Sequence, residues 1–246
     1  IGIWAISPKH LFADNLKDEL WLVAGGVFGG SLYFFTENTA LGITQASNVA
    51  FIICTAPLLT TILSLLFYKS EKATKGLVYG SLLALIGVGL VVFNGSVVLK
   101  LSPVGDLLTL LAALSWAFYS LVIKRMTGRY PTVFITRKIF FYGVLTILPA
   151  FLLHPLQPDF DVLLQPLVLS NLLFLAVLAS LICYILWNVV LKQLGTMRAS
   201  NYIYLNPLVT MVASVLILHE QITWITLMGA ACIILGVDRK STRLNS

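Results

Sequence analysis

Glu37 is the only acid set well inside an apolar stretch of this chain, four helical turns or so from the start of its segment. An ionised side chain at the centre of a bilayer costs roughly 2.5–3.5 kcal/mol on insertion scales, so such residues face a cavity and serve ions, protons or a substrate. The alternative is a carboxylate close enough to an interface to reach water, or one that caps a neighbouring helix. Tyr33 lies one turn earlier at i−4 and Asn38 lies beside it, so both extend the same polar face. Ser180, Tyr184 and Asn188 recur every four residues, with Trp187 nearby. That spacing puts three polar groups on one helical face. Lipid would leave them unpaired, so the face looks into protein or water; bonding between helices is the plainer reading. Thr109, Trp116 and Ser120, with Tyr119 adjacent, make a similar stripe, and Asn201 and Tyr204 precede Pro207. Aromatics in such segments serve packing and interfacial belts as well as binding.

Arg137 and Lys138 start a further apolar segment. Their long stems allow the heads to snorkel to the headgroups; turned inward, Arg137 would hold a substrate carboxylate with paired donors. Pro57 and Pro207 each stand in the middle of an apolar segment. Each removes a backbone donor and pushes on the carbonyl one turn earlier, so both helices are expected to kink. No catalytic set emerges. His10, His154 and His219 lie far apart, no Cys/His pair has metal-ligand spacing, and no Gly-rich phosphate loop follows a strand. No metal or cofactor is therefore expected.

The segments that carry these residues are membrane spans. The 246-residue chain is 59% hydrophobic and only 11% charged, against about 25% charged in soluble domains. Cys54, Cys183 and Cys232 all fall inside apolar runs, which argues against a disulfide framework. The net charge of +6 is dispersed over short loops and does not read as a nucleic-acid surface. Apolar spans fall at 20–43, 46–68, 75–94, 104–124, 132–153, 168–191, 197–218 and 222–237, each long enough, or nearly so, to cross a bilayer. Lys9 to Glu19 reads as a charged loop. Of the 16 Lys and Arg residues, 15 fall in alternate loops and only Lys100 in the other set. Cytoplasmic loops carry that excess, which places the 69–75, 124–138 and 192–198 connections inside. Gly25-Gly26 and Gly29-Gly30, and Gly76, Gly80 and Ala84, are stripes of small residues that let helices touch. The stripes also admit a homodimer face.

The spans repeat. Pro-Leu-x-Thr-x-x-x-Ser occurs at Pro57, Leu58, Thr60 and Ser64, and again at Pro207, Leu208, Thr210 and Ser214. Glu71 and Glu220 close the two segments, and glycines seven apart follow: Gly80 and Gly87, then Gly229 and Gly236. The offset is 150 at the prolines and 149 at the glutamates and glycines. Asn38 and Asn188 stand at the same offset. The second copy lies five spans after the first, an odd number, so the copies run in opposite directions through the membrane. Inverted repeats are a common build for carriers.

Glu37-Asn-Thr-Ala-Leu41, the proline-centred span ending in Glu71, and the glycine-rich helix from Lys75 to Phe93 resemble an EamA repeat of the drug/metabolite transporter superfamily. Asp106 to Val237 resembles a second. The resemblance implies an all-α, multi-pass bundle of two inverted five-helix repeats, with about eight spans of ten present. The first repeat, 1–95, reads as truncated to three helices and a stub; the second, 104–238, reads as five helices. Ser241-Thr-Arg-Leu-Asn-Ser246, in the polar tail 239–246, resembles translated sequencing adaptor more than protein. The resemblance also implies a secondary transporter of the cytoplasmic membrane that moves small amino-acid-like or drug-like solutes by alternating access, with the cavity between the halves. Lacking an ATP-binding motif, the chain is expected to use a gradient, with Glu37 a candidate for proton coupling. A receptor or scaffold that keeps the duplicated fold is the competing class, and a nucleotide-sugar carrier the competing substrate. A polar cleft between the halves would favour a carrier; closed packing would favour a scaffold.

Overall fold

A computed structural model of the chain describes residues 12–68, 75–93, 102–153, 159–218 and 223–242. Glu71, Glu220, Lys100, His10, His154 and His219 lie outside them. Eight long helices stand among the described residues. α1 runs over 16–43, α2 is Ala46–Phe67, α3 is Lys75–Phe93, α4 is Pro103–Thr127 and α5 is Thr132–Leu153. α6 is Pro166–Leu194, α7 runs over 196–218 and α8 is Trp224–Thr242. Four of them, α2, α4, α6 and Thr132–Ala150 of α5, are long and apolar enough by themselves to cross a membrane.

The ends differ from the expectation where caps and turns intervene. α1 begins at Leu16, inside the expected Lys9–Glu19 loop, because the Asn15 side chain accepts from the Asp18 amide at 2.8 Å and caps the first turn. α8 continues to Thr242 rather than stopping at 237, so the first residues of the polar tail are helical. The α6–α7 connection is a single residue, Gly195, with φ of 76°. Only glycine reaches that left-handed conformation without strain.

Neighbouring helices run antiparallel. At one end Asp18 meets Arg129, and at the other Ser102 donates to the Ile43 carbonyl at 3.2 Å, so α1 and α4 lie in opposite directions. Thr196–Asn201 of α7 packs on Ala56–Phe67 of α2, which puts the α2 and α6 exits at one end. That is the end the charge pattern makes cytoplasmic.

The duplication is written into the backbone irregularities. α1 changes to π-helix at Val27–Ser31, and α6 does so at Phe174–Ile182, a segment that contains the positions 150 residues later. The α2 ladder breaks at Cys54–Thr55, and α7 tightens to a 3-10 turn at Tyr202–Leu205, again 150 residues on. Each break lies just before its proline, because Pro57 and Pro207 cannot donate and crowd the preceding turn. In α2 the Ile52 carbonyl at the break accepts both the Thr55 amide at 2.9 Å and the Thr55 hydroxyl at 2.7 Å.

α3 and α8 pack face to face through glycine. A methyl on Gly87 would collide with the Gly229 backbone, and one on Gly236 with the Gly80 backbone. Gly229 is the counterpart of Gly80, and Gly236 that of Gly87, so each contact maps onto the other under a two-fold rotation, as in an isologous interface. The other glycine stripe is also used inside the chain. Gly25 faces Val122 and Ile139, Gly26 faces Tyr142 and Gly143, and Gly29 faces the Tyr119 ring. That face of α1 is covered by α4 and α5 and is not the dimer surface it otherwise suggests.

Candidate functional site

The π segment of α1 is where the site begins. A π turn frees carbonyls from the regular ladder, and in a membrane those groups need new partners. The Ser115 hydroxyl of α4 donates to the Phe28 carbonyl at 2.8 Å, and the Tyr184 hydroxyl of α6 donates to the Gly29 carbonyl at 2.6 Å. Three helices are thereby pinned at one level. Lacking a side chain, Gly29 lets the Tyr119 ring lie directly on α1.

Around this point the aromatic rings converge. Trp116 lies 5.1 Å from Tyr33, 5.1 Å from Tyr119, 5.9 Å from Tyr184 and 5.9 Å from Trp187, centroid to centroid. All of these pairs are tilted or edge-on, arrangements that favour aromatic contact. Tyr119 and Asn188 are fully buried. The Tyr119 hydroxyl donates to Asn188 Oδ1 at 2.7 Å, and Asn188 Nδ2 donates to Thr136 Oγ1 at 2.8 Å, which ties α4, α6 and α5 together. At the edge of the cluster Glu37 is half-buried, and Tyr33 donates to its Oε1 at 3.0 Å. Glu37 stands six residues before the end of α1, about 9 Å along the axis. The carboxylate therefore belongs to the outer half of the span rather than its centre.

Two donors in the cluster are left over. The buried indole N–H groups of Trp116 and Trp187 have no hydrogen-bond partner among the described residues. An unmade bond on a buried donor costs about 1–3 kcal/mol. The cluster thus combines packed aromatic rings, a carboxylate at its rim and two indole donors without a partner among the described residues.

Tyr33, Glu37, Trp116, Tyr119, Tyr184 and Asn188 are brought together as the polar stripes suggest. The remaining candidates lie elsewhere. Asn38 is exposed and donates to the Phe34 carbonyl of its own helix at 2.8 Å. Asn201 and Tyr204 are buried, and Tyr204 belongs to a second apolar cluster with Cys54, Val88 and Ile233. Arg137 does not snorkel: it is 3% exposed, its guanidinium 5.2 Å from the Phe134 ring centre. Ser180 is half-buried, and Thr109 donates to the Gly105 carbonyl.

The cytoplasmic end holds a charged cluster that the sequence reading passed over. Arg129 reaches Asp18 at 2.8 Å, and Asn15 and Tyr130 donate to the same carboxylate. Lys138 pairs with Glu19 at 2.5 Å, the Tyr142 hydroxyl donates to Glu19, and the Ala13 amide donates to its other oxygen at 2.6 Å. Lys138 is buried here rather than snorkelling. Burial alone would raise the Asp18 carboxyl, but donation from Arg129, Asn15 and Tyr130 holds it below the ordinary aspartate value. Burial acts on Glu19 in the same way and is outweighed by Lys138, Tyr142 and the Ala13 amide, so it too lies low. The available signal was two adjacent acids at the start of a span whose cytoplasmic neighbours are the most basic loop in the chain. Nearby, Lys124 lies over the Tyr68 ring and Arg125 over the Trp21 ring, at 4.1 and 4.8 Å.

Comparison with known proteins agrees with this architecture. A crystal structure matches with a TM-score of 0.75 over 92% of this chain and 78% of its own, at 20% identity, a likeness of fold alone. An uncharacterized transporter of Archaeoglobus fulgidus is 26% identical over 95% of this chain and 80% of its own length. The uncharacterized transporter YyaM of Bacillus subtilis is 30% identical over 93% and 74%. A probable amino-acid metabolite efflux pump of Salmonella typhimurium is 27% identical over 94% and 79%. The profile of the EamA-like transporter family matches residues 1–93 and 103–237. This chain, a multi-pass helical membrane protein, belongs to the EamA-like transporter family.

Proposed function

We propose that the chain is a gradient-driven carrier of small amino-acid-like solutes in the cytoplasmic membrane, and that the aromatic cluster with Glu37 is its binding site. The observation that carries this reading is the pair of buried, unpartnered indole donors on Trp116 and Trp187 within a ring cluster rimmed by a carboxylate. A zwitterion matches each feature. Its carboxylate accepts from the indoles, and its ammonium group rests against ring faces and Glu37. Amine-bearing drug-like molecules meet the same requirements. The relative named a probable amino-acid metabolite efflux pump is consistent with this class.

Transport then proceeds by alternating access. The two halves rock about the cluster, exposing it to either side, and their related irregularities provide matching hinges at Cys54–Thr55 and Tyr202–Leu205. Glu37 couples the cycle to protons by exchanging its proton for the solute's ammonium group. The test is uptake or efflux by proteoliposomes containing Glu37→Gln, measured across pH. Loss of the wild-type pH dependence is the expected result; a pH profile identical to wild type removes Glu37 from coupling.

A further inference from the structure

Beside the aromatic cluster lies a chamber of about 160 Å³ between α1, α5 and α6, open on one side. Its walls are Phe34, Phe140, Val144, Ile147 and Tyr184, and its narrow side is the close approach of Gly30 to Gly143. Two polar groups border it, and both are already engaged: the Ser31 hydroxyl with Thr146 at 2.8 Å, and the Tyr184 hydroxyl with the Gly29 carbonyl. Nothing in the chamber is left to receive a charge or a hydrogen bond, and a polar group placed there would lose its hydration without recompense.

Size and position define what does fit. A volume of roughly 150 Å³ holds a benzene-sized group, and here one side of it is open past the exposed Val144. The chamber matches that size and is short for the acyl chain of a membrane lipid. It shares Tyr184 with the cluster: that ring lies 5.1 Å from Phe140 on the chamber side and 5.9 Å from Trp116 on the other. The π segment of α1 borders the chamber through Gly29 and Gly30, and Gly29 also lies against the Tyr119 ring of the cluster. We infer that the chamber is the side-chain subsite of the carrier, taking an aryl or branched-alkyl substituent of a solute whose charged head lies at Glu37, Trp116 and Trp187. The inference rests on the proposed binding site and adds its selectivity.

The test uses the full chain in nanodiscs with three probes: alanine, phenylalanine and fluorobenzene. The two amino acids share a head and differ by the ring, whereas fluorobenzene is the ring without the head. Val144 is 60% exposed, so its side chain changes without disturbing the core. Phenylalanine should bind roughly tenfold or more tighter than alanine. Val144→Trp, which narrows the chamber, should abolish that preference while alanine binding stays as in wild type. Val144→Ala, which widens it, should keep the preference and extend it to naphthylalanine. An unchanged phenylalanine-to-alanine ratio in both variants overturns the subsite, as does fluorobenzene binding equally to wild type and Val144→Trp. Fluorobenzene bound by wild type and lost in Val144→Trp, with neither amino acid bound, keeps the chamber and overturns the head-group site instead.

Discussion

The two polar regions of this molecule are built from similar residues and finished differently. At the cytoplasmic end every carboxylate oxygen of Asp18 and Glu19 accepts from a named donor: Arg129, Asn15 and Tyr130 on one, Lys138, Tyr142 and the Ala13 amide on the other. In the aromatic cluster two buried indole donors have no partner among the described residues, and Glu37 accepts from Tyr33. A buried polar group fully matched by its neighbours fixes their arrangement. One left unmatched costs stability and persists where something else uses it. The first region is a clamp joining α1 to the α4–α5 connection and α5; the second has the unused donors on which the proposed binding site rests.

Breaking the clamp should have the largest effect. The Lys138 and Glu19 side chains are 5% and 13% exposed, so Glu19→Gln leaves a buried ammonium group without its counter-ion. A loss of about 3–5 kcal/mol in unfolding free energy is expected in detergent, with the double change Glu19→Leu, Lys138→Met recovering most of it. Full stability in Glu19→Gln alone would mean the pair is not a clamp. Tyr184→Phe should cost about 1–3 kcal/mol by orphaning the Gly29 carbonyl of the π segment. Comparison with Trp187→Phe sharpens the contrast. That change removes a donor that has no partner, so stability should stay within about 0.5 kcal/mol of wild type or rise while solute affinity falls.

The smallest effect is with pH. Asp18 and Glu19 both have carboxyls held below their unfolded values. Their contribution is fully present above the unfolded values, about pH 4, and is lost as pH falls through the lower folded ones. The melting temperature should therefore be flat from pH 7 to about pH 5 and decline below about pH 4. In Asp18→Asn, Glu19→Gln that acid-side decline should flatten. A decline of the same depth in the variant would assign it to other groups.

The contrast between the regions also marks what could be read from residue order. The spans and the duplication were legible because hydrocarbon demands long apolar runs and the proline motif recurs at a fixed offset. The four-residue spacing of Ser180, Tyr184 and Asn188 put two of the buried site residues on one face before any packing was known. Their partners were hidden. Ser115 finds the Phe28 carbonyl, and Asn188 finds Tyr119 and Thr136, across 52 to 87 residues of chain. Only packing brings them together. The π segments were also invisible, since no residue type encodes them as proline encodes the breaks in α2 and α7. Asn38 was grouped with Glu37 by adjacency, but successive helical residues point about 100° apart, and Asn38 turns outward.

The most direct measurement is solute efflux from proteoliposomes loaded with a mixture of amino acids, comparing wild type with Trp187→Phe and recording the melting temperature of the same samples. The account predicts that Trp187→Phe loses efflux at an unchanged or raised melting temperature. Efflux at the wild-type rate, or a loss that follows a fallen melting temperature, would contradict the claim that the unpartnered donors are there for the solute.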